Sequence, residues 1–176
     1  MQAQTMALVG IIAVLTTGFS DTIQVTTDYD RNVSFANYHT FFIIKGSSSG
    51  TPLLDQRVMD DVRDALTTKG WEGVSEGEGR TAVVVHTATA TKHSCEAFYE
   101  GWGGWKWGGG TAATCRDPFK VGSVLVDMFD AATKQLIWRG AVSDALTRNA
   151  EQKPSITREA ITKLFHRFPP GHEVGQ

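Results

Sequence analysis

Four aspartates and one histidine are the residues whose types and spacing bear most directly on catalysis. Asp28 and Asp30 stand two apart in DTIQVTTDYD, residues 21–30. On a strand that spacing puts both carboxyls on one face, about 7 Å apart. Such a pair suits general acid–base work or a hard cation. The competing reading, that they end a strand and accept turn amides, fits the sequence better. Asp127 and Asp130 bracket the end of a second apolar run, and Asp127 is expected to pair with Arg139 across a hairpin. His86 lies inside the β-branched run TAVVVHTATATK and reads as a hydrogen-bonded structural residue rather than a ligand. No H-E-x-x-H or P-loop fingerprint occurs. No catalytic residue and no cofactor are therefore assigned. A hydrolase built on the strand-borne aspartates stays as an alternative, and so does a small-ligand or metal carrier.

The chemistry of binding is concentrated elsewhere, in EGWGGWKWGGG, residues 100–110. Three of the five tryptophans fall within six residues there, spaced by glycines and Lys106. Indole combines an apolar body with one N–H donor, which suits sugar faces, lipid headgroup boundaries and protein partners. Trp105 and Trp107 share a side of an extended chain and Trp102 does not, so a platform of all three rings requires turns at the glycines. Trp102, Trp105, Lys106 and Trp107 are the candidate binding residues; packing of the rings back onto the sheet is the other reading. Cys95 and Cys115 flank this run. In an exported protein they are expected to form a disulfide, closing a loop of about 20 residues and contributing roughly 3 kcal/mol through the unfolded state. Free thiols are the cytosolic alternative. A metal set recruiting His93 needs a fourth ligand that the sequence does not supply at usual spacing.

These residues must be held by an ordinary globular framework. The chain has 176 residues, 41% hydrophobic and 20% charged, with a net charge of −2. That is one domain's length, and it carries no basic field to attract nucleic acid. MALVGIIAVL, residues 6–15, is an apolar run of signal-peptide length, too short to span a bilayer. Residues 1–20 are accordingly expected to be a signal-peptide-like or apolar N-terminal segment, 21–170 a single domain with a Gly/Trp-rich loop at 94–116, and 171–176 a tail.

Within the domain, Ile23, Val25, Thr27 and Tyr29 alternate as one face of a half-buried strand, and HTFFIIKG makes a second. Leu54, Val58, Val62 and Leu66 predict a helix from about Leu54 to Lys69, stopped by Gly70. Its other face, with Asp55, Arg57, Asp60, Asp61, Arg63 and Asp64, reads as solvated surface. Residues 81–92 form the third long strand. VGSVLVDMF and LIWRGAV form a hairpin around the polar turn DAATKQ, with Leu136 and Trp138 facing one way and Ile137 and Arg139 the other. A second helix follows in PSITREAITKLFHRF, with Ser155 as N-cap, a stripe of Ile161, Leu164, Phe165 and Phe168, His166 on the surface, and Pro169-Pro170 as its end. The expected fold is α+β: a two-layer sandwich with an antiparallel sheet of about five or six strands and two helices packed on one face.

IQVTTDYD, VSFANYHTFF, the glycine- and tryptophan-rich insertion, GSVLVDMFDAATKQLIWRGAVS and the terminal LFHRFPP occur in an order that resembles the bacterial domain-of-unknown-function family 4136, over roughly residues 22 to 170. The resemblance implies an exported cell-envelope protein, periplasmic or outer-membrane-associated and often a lipoprotein, with no established activity. Phe19 stands where a lipobox cysteine is expected, which argues against a lipid anchor. The functional expectation is a non-catalytic envelope domain that binds or assembles through the Gly/Trp loop or a sheet edge. Its partner would be an envelope protein, an envelope polymer, a membrane surface or a second copy of itself.

Overall fold

A computed structural model describes residues 23–88, 122–143, 145–146 and 154–170. Among them, six strands form one sheet: β1 (Val25–Tyr29), β2 (Thr40–Lys45), β3 (Glu72–Gly73), β4 (Thr81–Ala88), β5 (Ser123–Asp130) and β6 (Leu136–Val142), ordered β1-β6-β5-β4-β2-β3. Two helices, α1 (Pro52–Thr68) and α2 (Pro154–Leu164), are described with it. The α+β architecture is as expected, but the sheet is mixed. β2 runs parallel to both β3 and β4, while β4, β5, β6 and β1 are antiparallel in succession. The reason is α1. A helix leaving the end of β2 carries the chain back along the sheet, so the next long strand enters from the same end.

Strand composition sets the two faces. Along β4 and β5, Val83, Val85, Val124, Val126 and Met128 turn toward the helices, and Ala82, Val84, Leu125 and Phe129 turn away. The helix-side core gathers Leu54, Val58, Val62 and Leu66 of α1 with Ile161, Leu164 and Phe165 of α2, all buried. At its centre Trp138 stacks on Phe165 at 5.4 Å and 21°, with Phe168 edge-on to both. Burying so large an aromatic set contributes several kcal/mol. Gly140 makes room for it. A Cβ there would lie 2.2 Å from the Trp138 ring and 2.7 Å from Leu164.

The hairpin departs from strict alternation at one residue. Met128 faces Trp138 but Phe129 faces Leu136, so Ile137 is a bulge on β6. Leu136 therefore joins Phe129 on the far face, while Ile137 and Trp138 both enter the helix-side core. The expected pairing of Leu136 with Trp138 on one face is corrected by this extra residue.

α1 begins with Pro52 in its first turn, where proline's missing N–H costs nothing. It ends as the sequence indicates. Gly70, at φ +84, donates to Thr67 at 2.9 Å and Trp71 donates to Leu66 at 3.1 Å, the paired bonds of a Schellman stop. Two of the acidic residues on its supposed surface face are buried, however: Asp55 is 1% exposed and Asp61 4%. Asp55 precedes Val58 by three residues and Asp61 follows it by three, which places both beside the apolar stripe. In α2 the stripe is as expected and His166 is exposed, but the helix begins at Pro154, so Ser155 lies within the first turn rather than capping it.

Candidate functional site

The residues singled out for chemistry are dispersed. Asp28 accepts the Tyr29 amide at 2.9 Å, and Asp30 accepts the backbone and side-chain N–H groups of Asn32. Asp130 accepts the turn amides of Ala132 and Thr133 and the Tyr38 hydroxyl at 2.8 Å. Burial raises the Asp130 carboxyl, but those donors outweigh it and hold it below its ordinary value. Tyr38 moves the other way, to about 12, through burial and through the negative charge of the carboxylate it donates to. Asp30 serves a turn, as the sequence suggested, and so does Asp130, whereas Asp28 bonds the next amide within β1. Trp102, Trp105, Lys106, Trp107, Cys95 and Cys115 lie outside the described residues.

Two polar clusters do form, on either side of β4. On the far face His86 is 1% and Asp127 0% exposed. Arg139 closes on Asp127 with two charge-assisted bonds, Nε at 2.6 Å and Nη2 at 2.7 Å, the expected cross-hairpin pair. His86 Nε2 lies 3.8 Å from Asp127 Oδ2, and its Nδ1 lies 3.0 Å from Ser47 Oγ. The order Ser47, His86, Asp127 follows that of a nucleophile, base and orienting acid. Its geometry and electrostatics do not. Nδ1 also accepts the Ser47 backbone N–H at 3.0 Å, and the aspartate is beyond hydrogen-bond length from the ring while committed to Arg139. Burial, reinforced by the Arg139 charge, lowers the imidazole to about 4, so it stays neutral and weakly basic. Gly46 lets this loop approach, since a Cβ there would lie 2.5 Å from Nδ1.

The second cluster surrounds Asp55. It accepts the Ser48 hydroxyl, the Ser49 amide and hydroxyl at 3.0 and 2.7 Å, and the Thr87 hydroxyl, and it pairs with Lys45 at 3.0 Å. Burial opposes the charge, but these donors overcome it and hold the carboxyl well below the usual range. The loop SSSGT is thereby pinned to β2, β4 and α1. The sequence reading passed over this cluster. Its signal was a serine run leading into a proline-started helix that carries an aspartate beside the apolar stripe.

Two surface features remain. A groove between α1 and α2 is lined by Arg57, Asp61, Arg158, Glu159 and Lys163. Arg158 pairs with Asp61 at 3.1 Å and Lys163 with Glu159 at 2.7 Å. Among the described residues the buried Asp61 Oδ2 has no hydrogen-bond partner, and burial raises this carboxyl's pKa despite Arg158. The other feature is β1, an edge strand whose five residues are all exposed. Asp30 donates to Ile137 and Ser143 donates to Gln24, so the even-numbered residues bond to β6. The N–H and C=O groups of Val25, Thr27 and Tyr29 consequently point away from the sheet. Among the described residues no group of three or more metal-ligating side chains comes together.

The fold and its polar clusters define a two-layer α+β domain built on a mixed six-stranded sheet. The family DUF4136, a domain of unknown function, matches residues 25–170, and the chain belongs to it. No curated protein matches the sequence. A DUF4136 family protein from Bacteroides thetaiotaomicron VPI-5482 has a similar structure, with a TM-score of 0.63 at 14% identity, covering 85% of this chain and 97% of that one. A PDZ domain protein from Parabacteroides distasonis ATCC 8503 gives 0.52 at 12% identity, covering 86% and 37%. A PelC dodecamer from Paraburkholderia phytofirmans gives 0.50 at 11% identity, covering 82% and 96%.

Proposed function

We propose that this chain is a non-catalytic domain of the cell envelope that works by binding or assembly, using the edge of its sheet. The observation that carries the reading is β1: among the described residues it is an edge strand whose five residues are all exposed, with the backbone groups of alternate residues directed outward. Such an edge is a ready template for another strand, and proteins that do not use one usually blunt it. The polar clusters support the same reading, because their hydrogen bonds are spent on holding turns, a loop and a hairpin. The apolar run at residues 6–15 supports export, and the Gly/Trp-rich loop supplies a second candidate surface.

Photo-crosslinking from position 27 in intact cells tests the proposal. A specific crosslinked protein species in the envelope fraction supports it. A chain that remains uncrosslinked, or fractionates with the cytosol, overturns it. A second reading, a small-ligand carrier, is favoured by the buried Asp61 Oδ2 in the α1–α2 groove, which has no hydrogen-bond partner among the described residues. It expects Asp61→Asn to abolish ligand-induced thermal stabilisation without unfolding the domain.

A further inference from the structure

We infer that β1 pairs with β1 of a second copy of this chain, antiparallel, about a two-fold axis through Thr27. This rests on the assembly reading above and names the partner. The outward backbone groups belong to Val25, Thr27 and Tyr29, so any added strand bonds to those three. An axis at Thr27 makes Val25 face the partner's Tyr29 and Thr27 face the partner's Thr27, and it uses every residue of the strand. A register moved by one residue toward the C-terminus puts Asp28 opposite the partner's Asp28, which is repulsive, and pairs only part of β1. Moving it the other way also shortens the overlap.

The side chains fit the same register. Among the described residues three large apolar side chains are exposed, and two are Val25 at 37% and Tyr29 at 42%. The axis brings each against the other, a β-branched and aromatic cross-strand pair made twice. On the opposite side Thr26 faces the partner's Asp28, so no like charges meet there. The interface is isologous and closes on itself as a dimer, joining two six-stranded sheets into one. Asp28 regulates it. Its carboxylate accepts the Tyr29 N–H at 2.9 Å, occupying a donor that the pairing needs, so it must release that amide for the dimer to form.

The test is analytical ultracentrifugation of the full chain across a concentration series, with three variants. Thr27→Pro removes an outward N–H and leaves the bonds to β6 intact, as proline is tolerated on strand edges. It is expected to raise the dimer dissociation constant at least about tenfold, with circular dichroism unchanged. Thr27→Lys sets two ammonium groups across the axis and does the same if proline disturbs folding. Asp28→Ala frees the Tyr29 amide and removes the charge, and is expected to tighten the dimer several-fold. A chain that stays monomeric to millimolar concentration, or a dimer indifferent to both Thr27 substitutions, overturns the self-pairing. Envelope crosslinks from position 27 to a different protein would then leave the assembly reading standing, while their absence would remove both.

Discussion

The two faces of the central sheet are buried by opposite means. Toward the helices, Trp138, Phe165, Phe168 and Trp71 pack as aromatic rings among aliphatic side chains. On the far face, Phe42, Val84, Leu125 and Phe129 enclose a charged pair and a neutral imidazole. Apolar burial is non-directional and roughly proportional to area, so the first face supplies most of the stability. The buried Asp127–Arg139 pair costs desolvation that its attraction largely offsets, so the second face supplies direction: it aligns β5 with β6 and seats the β2–α1 loop through His86. Stability and specificity are divided between them.

The largest expected effect separates the faces most sharply. Trp138→Ala should cost about 4 kcal/mol in urea denaturation, the cost of a large cavity under two helices. Gly140→Ala should cost about 3 kcal/mol, because the added methyl runs into the stacked Trp138 ring and Leu164. On the far face Asp127→Ala should cost about 3 kcal/mol by leaving Arg139 without its anion, whereas the double replacement Asp127→Leu with Arg139→Met should recover most of that loss. If single and double variants are equally unstable, the pair is not offset as described.

Protonation gives a further contrast. The folded His86 value, about 4, is below the unfolded value of 6.5, so the unfolded chain binds the extra proton between them. Stability is therefore full above about pH 6.5 and falls as pH drops toward 4, by roughly 3 kcal/mol in all. A flat stability profile between pH 7 and 4, or one that His86→Gln does not flatten, would show that burial of the imidazole is not the cause. Asp55 acts lower. Its carboxyl is depressed, so its contribution is present above the unfolded carboxylate range and is lost only in stronger acid. The smallest effect belongs to neither face. Gly70→Ala should cost about 1 kcal/mol at the end of α1, because only glycine adopts that backbone freely.

Local pattern determined much of this in advance. The 3.6-residue stripes of α1 and α2, the Gly70 stop, the hairpin around Asp130, the turn-capping Asp30 and the Asp127–Arg139 pair all depend on neighbours in sequence or on one short turn. Three matters were decided only by tertiary structure. The parallel placement of β2 beside β4 depends on where α1 packs, and periodicity carries no strand direction. Ile137's bulge depends on the partner strand, so alternation along β6 alone put Leu136 on the wrong face. Asp55 and Asp61 look like surface charges on a helical wheel. Their burial requires a serine loop and Lys45 to surround one and Arg158 to reach the other, and donors from other elements leave no periodic trace in the helix that carries the carboxylates.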